Sequence, residues 1–262
     1  PVAVKVRRPG IAETIEADLR ILSHLAYLVE LEFPDTRRYQ PGEMINQFAK
    51  SLRRELDLAA EARNMERFAQ HFANDPVIVV PKVYWQHTHA RMNVQDFIEG
   101  IPASKLEQAD AAGLDRVTLA ARGADAVLKM ILLDGFFHAD PHPGNVFFLP
   151  ENRIVFIDFG MVGRLSPARR DELVDLLAAL SRRNERGILE VLLEWTGSEA
   201  VDESQLHADI GEFLFQYDQV QLKDLNLSML INDVMALMRD HSIMLPSDLS
   251  MLFMALITLE GF

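Results

Sequence analysis

The stretch that decides the fold is His138-Ala139-Asp140-Pro141-His142-Pro143-Gly144-Asn145, followed thirteen residues after Asn145 by Asp158-Phe159-Gly160. Asp140 supplies a carboxylate that can take a proton, while Asn145 and Asp158 supply the hard oxygen donors that Mg²⁺ prefers. Between them lie two strand-like runs, Val146 to Leu149 and Ile154 to Ile157, separated by the turn residues Pro150, Glu151 and Asn152. A hairpin of that length is expected to return Asp158 beside Asn145, so that both oxygens meet at one metal. Each short motif alone is weak, but their order and separation together are specific. If the two aspartates only formed turns at strand ends, the Asn145 spacing would be unexplained.

The pattern H-x-D-x-x-x-x-N followed by D-F-G is that of a kinase catalytic loop and its metal-binding turn. Phosphoryl transfer needs a carboxylate near the acceptor hydroxyl, oxygen ligands for Mg²⁺ and a cation on the phosphates. On this reading Asp140 is the base, and Asn145 and Asp158 hold the metal. His142 stands where ordinary protein kinases carry a lysine on the transferred phosphate; it either does that when protonated or is simply exposed. His138 is expected to brace the loop by hydrogen bonding.

Upstream, residues 2–7 (VAVKVR) alternate with strand period and end at Pro9-Gly10. V-A-V-K is the strand signature of the lysine that contacts nucleotide phosphates. Ala3 and Lys5 share a face, with the small Ala3 leaving room for a flat adenine. Such a lysine needs a carboxylate from a helix. Glu55 lies among Phe48, Leu52 and Ala59, and Glu61 among Leu58, Met65, Phe68 and Phe72, both at helical spacing. A carboxylate within an apolar stripe is costly unless paired, and Glu61 is the favoured partner. Met92, Val94 and Phe97 read as a strand leading to a hinge. Gln95 would guard the back of the adenine pocket, and Asp96, Phe97 and Ile98 would offer backbone groups to the adenine edge.

The remaining pattern predicts helices over 12–32 and 43–72, parted by a loop over 34–42, then short strands over 77–80, 82–86 and 90–97. Glu99-Gly100 with Pro102 marks the boundary between an N-lobe over 1–98, with inserted helices, and a C-lobe over 99–262. The C-lobe is predicted to hold a helix over 115–133, with Leu119, Val127, Leu128 and Ile131 as core, and only helices after Gly163. There Ser166 caps a helix that starts on Pro167 and carries Leu173, Leu176, Leu177 and Leu180. The fold class is α+β: a two-lobed protein-kinase-like fold, truncated in its N-terminal lobe, with a helical C-terminal lobe. The chain reads as a fragment, since it opens inside a strand pattern and stops just after a helical one.

Of 262 residues, 49% are hydrophobic and 25% charged, which is ordinary for a globular protein. A net charge of -13 argues against nucleic-acid partners, which need a basic face, and against attachment to anionic lipid by charge alone. The absence of cysteine excludes disulfides, thiolate metal sites and cysteine nucleophiles. The richest apolar run, Met251 to Leu259, is too short to span a membrane. The last helices are expected to form a bundle around Leu245, Leu249, Leu252, Phe253, Leu256 and Leu259. Met229, Met235, Met238 and Met244 would leave one adaptable apolar patch for a membrane or partner.

These segments resemble the ABC1/ADCK/UbiB family of atypical kinases, also called the AarF-domain family. The resemblance covers nearly the whole chain: VAVKVRRPG, RRELDLAAEARNMERF, FIEGIPAS, FHADPHPGNVF, VFIDFGMVGRLS and LPSDLSMLFMALITLEG. Glu55-Leu56-Asp57 matches the family's E-x-D motif, which ordinary protein kinases lack. The resemblance implies a kinase-like fold, binding of ATP with Mg²⁺, and a role in ubiquinone (coenzyme Q) biosynthesis. It implies as partners quinone precursors or a lipid membrane and proteins of ubiquinone biosynthesis. It implies a cytoplasmic place, peripheral to the inner membrane in the full-length protein. It also implies that Glu55 and Asp57 face the nucleotide cleft. The family's alanine-rich loop and K-x-G-Q extension would lie upstream of Pro1, and no A-P-E segment follows Asp158-Phe159-Gly160. A small-molecule phosphotransferase of the aminoglycoside or choline kinase type, and a nucleotide-binding pseudokinase scaffold, are the alternatives.

Overall fold

A computed structural model describes residues 1–33, 41–196, 201–217, 226–243 and 245–259. Most of the expected 34–42 loop, Met244 and the chain end at 260–262 lie outside the described residues. The chain divides into two units, one formed by Pro1–Gly100 with Val155–Met161, the other by Ile101–Ile154 with Val162–Phe262.

The first unit runs β1 (Val2–Val6), α1 (Ile11–Glu32), α2 (Pro41–Glu55), α3 (Leu58–His71), β2 (Ile78–Val79) and β3 (Met92–Asp96). β1 and β3 pair antiparallel, with Ala3 opposite Gln95 and Lys5 opposite Asn93. The single helix expected over 43–72 is two helices. Asp57 adopts an extended backbone, and its carboxylate accepts the Ala59 N–H at 3.0 Å, so it starts α3 and breaks the run. Aspartate gains more as an N-cap than it offers within a helix. Ala62, Met65 and Phe68 of α3 are fully buried and form the core of this unit. The strand expected over 82–86 is reduced to one bridge, Val83 to Gln95, followed by a 3₁₀ turn at Trp85–His87. There Thr88 Oγ1 accepts the Val94 N–H at 3.0 Å, a side chain taking the place of a ladder bond.

The second unit continues with β4 (Ile101–Pro102), α4 (Leu106–Ala111), α5 (Arg116–Leu128), β5 (Phe136–His138), β6 (Val146–Leu149), the start of β7 (Arg153–Phe156) and β8 (Val162–Arg164). It closes with α6 (Pro167–Ser181), α7 (Glu185–Trp195), α8 (Glu203–Gln216), α9 (Leu227–Asp240) and α10 (Ser247–Leu259). The helix predicted over 115–133 ends as α at Leu128 and widens into a π-helical turn over Lys129–Asp134. Leu119, Val127 and Ile131 are buried as expected, but Leu128 is exposed. It stands one position, about 100° of helix, past the buried face through Val127.

Ser166 caps α6 by accepting the Arg169 N–H at 3.1 Å, with Pro167 in the first turn. Leu173 and Leu176 are buried, whereas Leu177 is exposed. Leu249, Leu252 and Phe253 are buried in α10; of the methionines named above, Met238 is buried and Met229 exposed. Among the described residues, no helix is long and apolar enough to cross a membrane.

One pairing escaped the sequence pattern. β5 lies in the expected loop and β8 at the start of the expected helices, yet they pair antiparallel with Phe137 opposite Gly163 and His138 opposite Val162. Three residues are too few to show a period. A Cβ on Gly163 would stand 2.0 Å from Cζ of the Phe137 ring, which is 1% exposed and has no room to yield. Gly163→Ala should therefore destabilise the fold by about 1–3 kcal/mol through overpacking. Urea unfolding checks this, and an unchanged midpoint would show that the β5–β8 contact is looser than described.

Candidate active site

Each unit presents one part of the predicted constellation. In the first, β1 carries Lys5 and α3 carries Glu61, which is 5% exposed. Lys5 Nζ lies 2.5 Å from Glu61 Oε1 and 3.2 Å from Asp158 Oδ2, so one ammonium bridges two carboxylates. Burial pushes the Glu61 carboxyl above its ordinary range, and the negative charge of Asp158 adds to this. The Lys5 charge and hydrogen bond, with a hydrogen bond from Asn93, oppose it. A buried carboxylate so placed depends on its lysine.

Asp158 is held in position by its neighbours. Its backbone is left-handed, φ 60°, a conformation that aspartate tolerates better than most residues. Phe159 is fully buried and packs on Phe68, with ring centroids 4.8 Å apart. Asn64 Nδ2 donates to the Phe159 carbonyl at 2.9 Å. The tripeptide is thus anchored to α3 through Phe159, by its ring and by its carbonyl, while the Asp158 carboxylate stays half-exposed.

Behind Lys5 on β3, Asn93 and Gln95 are buried, and Asn93 Nδ2 donates to Gln95 Oε1 at 3.2 Å. Asn93 Oδ1 is buried with no partner among the described residues. Sequence reading named Gln95 but missed Asn93 and Asn64. The signal for Asn93 was available: polar residues at 93 and 95 share one strand face, opposite Lys5 and Ala3. Asp96 is occupied otherwise, its carboxylate accepting from Tyr84 Oη at 2.8 Å and from the Lys82 N–H at 3.2 Å. That hydrogen bond and charge raise the Tyr84 hydroxyl above its ordinary value. The Asp96 N–H is spent on the Lys82 carbonyl, so of the three expected hinge positions Phe97 and Ile98 remain to offer amides. Phe97 is exposed.

The expected setting of the E-x-D pair needs correction. Glu55 is exposed at the end of α2 and does not lie in a buried stripe. Its neighbour Phe48 is itself half-exposed, because the break at Asp57 separates α2 from the buried face of α3. Asp57, besides capping α3, pairs with Arg63 at 3.1 Å.

In the second unit, β5 leads into the loop through His138, which is buried. Its Nδ1 accepts the Asp140 N–H at 3.2 Å, bracing the turn. Asn145 is also buried, and its Nδ2 donates to the Asp140 carbonyl at 3.0 Å and reaches Asp140 Oδ2 at 3.5 Å. In that orientation Asn145 Oδ1 has no hydrogen-bond partner among the described residues. His142 Nε2 lies 3.7 Å from Asp140 Oδ2, and its Nδ1 accepts the Gly144 N–H at 3.0 Å. The Asp140 carboxylate is exposed enough, at 43%, to meet a substrate.

Among the described residues, no three histidines or acidic residues form a metal cage. The first unit offers a half-exposed carboxylate on Asp158, and the second an amide oxygen on Asn145. Each is a hard oxygen donor of the type that Mg²⁺ takes, one or two from a protein, before it completes its shell with water and substrate phosphates.

The ABC1 atypical kinase-like domain family matches residues 1–192, and the UbiB helical domain family matches residues 210–262. An uncharacterized protein of Synechocystis sp., sll1770, is 30% identical over 262 residues. The match takes in 99% of this chain and 45% of that protein, so the chain spans less than half of its relative's length. Among solved structures, Rv3197 of Mycobacterium tuberculosis, determined in complex with erythromycin, superposes with a TM-score of 0.65 at 23% identity. That match covers 99% of this chain and 67% of the other, and it shows a shared fold. The chain belongs to the family of ABC1 atypical kinase-like domains, continued by a UbiB helical domain.

Proposed function

We propose that this domain binds Mg-ATP and moves its terminal phosphoryl group, as an atypical kinase or an ATPase in which water is the acceptor. The observation that carries the reading is the pair of contacts by which Lys5 bridges Glu61 and Asp158. A lysine fixed by a buried carboxylate and shared with a half-exposed one is set to exchange the second partner for phosphate oxygens. In this reading residues 1–98 act as the nucleotide-anchoring lobe and 99–262 as the catalytic lobe. Lys5 neutralises phosphate charge, Ala3 makes room for the base, and Gln95 closes the pocket's back. Phe97 and Ile98 offer their amides to the adenine edge.

Asn145 and Asp158 are the proposed magnesium ligands, and the ion would screen the phosphates' charge. Asp140 orients the acceptor hydroxyl or water and takes its proton. His142 assists on the phosphate when protonated, while Glu55 and Asp57 are proposed to border the cleft. Asn64 and Phe159 keep Asp158 in its left-handed conformation and so hold its carboxylate in place. Support for ubiquinone biosynthesis, at the membrane surface, is the setting the family likeness favours.

Phosphate release from Mg-ATP by the full-length protein, with and without quinone precursors and lipid, tests both levels. Release that disappears in Lys5→Met supports phosphoryl transfer, and stimulation by quinone precursors or lipid supports the setting. No release under any condition, with Mg-ATP bound, would make the protein a nucleotide-binding scaffold.

A further inference from the structure

A cleft of about 370 Å³ opens in the first unit where β1 turns into α1. Its ionisable lining is Arg7, Arg8, Arg91 and His89 against the single carboxylate of Glu13, in a chain whose net charge is -13. The cations divide into two kinds. Arg7 is structural: its guanidinium donates to the Leu56 carbonyl at 3.0 Å and its N–H to the Arg91 carbonyl at 2.9 Å. The guanidiniums of Arg8 and Arg91 are exposed and make no hydrogen bond or ion pair among the described residues. His89 Nδ1 accepts the Arg91 N–H at 3.2 Å, which puts the neutral ring's proton on Nε2 as a further donor.

The backbone adds to this. Gly10, φ 79°, precedes the 22-residue α1 without a side-chain cap. The Ala12 and Glu13 amides find no acceptor among the described residues. A glutamate in the first turn satisfies part of the helix field but accepts from neither amide.

We infer that this cleft binds a phosphate monoester. Two free guanidinium forks, a ring N–H and unpaired amides call for an anion with at least three oxygens, and two net positive charges suit a dianion. The cleft is larger than inorganic phosphate needs, so a small organic body is accommodated beside Val6 and Met92. The inference does not depend on nucleotide chemistry at Lys5.

Calorimetric titration of the full chain with inorganic phosphate and with glycerol 3-phosphate tests it, alongside flotation with phosphatidylcholine vesicles containing phosphatidic acid. Wild type should bind glycerol 3-phosphate saturably, and Asp158→Asn should bind it equally well, which separates this cleft from the nucleotide site. Arg8→Ala and Arg91→Ala should each weaken binding by about tenfold or more, the worth of one charge-assisted hydrogen bond. Their melting temperature without ligand should stay unchanged. Vesicle capture that needs Arg8 and Arg91, without binding of soluble phosphates, would still support the site and assign its phosphate to a lipid headgroup. No saturable binding to either source, or equal binding by the double variant, would overturn the proposal.

Discussion

Asp140→Asn is expected to keep Mg-ATP affinity while losing turnover by about a hundredfold to ten-thousandfold, the usual range for removing a general base. The residue's surroundings explain why binding should survive. His138 Nδ1 accepts the Asp140 N–H and Asn145 Nδ2 donates to the Asp140 carbonyl. Both contacts are to the backbone and persist when the carboxylate becomes an amide. What disappears is the ability to accept a proton from the attacking hydroxyl or water. The check is a pair of measurements on one preparation, nucleotide affinity and phosphate release. Equal turnover in variant and wild type would remove Asp140 from the mechanism.

Lys5→Met is expected to cost about 3 kcal/mol of stability near neutral pH and far less in mild acid. The figure is that of breaking a buried ion pair from one side, taken at its low end because the Lys5 side chain is 30% exposed. Burial already holds the Glu61 carboxyl above its ordinary range, and the Lys5 charge and hydrogen bond are the main influences opposing it. A carboxyl whose folded pKa stands above its unfolded one binds its proton more tightly in the native state. Its contribution to stability is therefore complete below the unfolded pKa and is lost as pH rises through the folded one. Removing Lys5 raises the folded pKa further, so the variant should approach wild type in acid and fall behind progressively towards neutrality. Adding Glu61→Gln should flatten that dependence. Urea unfolding at the two pH values reads the difference, and a deficit that does not change with pH would mean that Glu61 is not the buried partner that Lys5 supports.

The residue types of the candidate site were more legible in the sequence than their placement. The alternation of residues 2–6 set Ala3 and Lys5 on one strand face, and Ser166-Pro167 announced the start of α6, because each signal is carried by adjacent residues. The choice between Glu55 and Glu61 was not decided by spacing, since both sit in runs of threes and fours. It depended on Asp57 leaving the helix to cap α3, which sets the phase of the Glu61 face and leaves Glu55 exposed. The hold on Asp158 was not visible either. The contacts of Phe159 with Phe68 and Asn64 join residues more than ninety positions apart, and nothing in the D-F-G tripeptide names its partners. β5 and β8 were too short to show a period, and their register rests on a glycine whose purpose appears only when Phe137 lies across it.

The central claim, that Lys5, Glu61 and Asp158 form a magnesium-nucleotide anchor, is tested most directly by ligand-induced thermal shifts in wild type and Asp158→Asn. A ligand at ~100 times its dissociation constant stabilises the native state by about 2.7 kcal/mol, which for a domain of this size raises the melting temperature by roughly 5–10 °C. Wild type should show a shift with Mg-ATP, at the low end of that range or below it, and lose it when the metal is chelated. Asp158→Asn should lose most of the Mg-ATP shift while responding to adenosine as wild type does, because adenosine brings no phosphate for a metal to bridge. An Mg-ATP shift that is undiminished in Asp158→Asn would contradict the account.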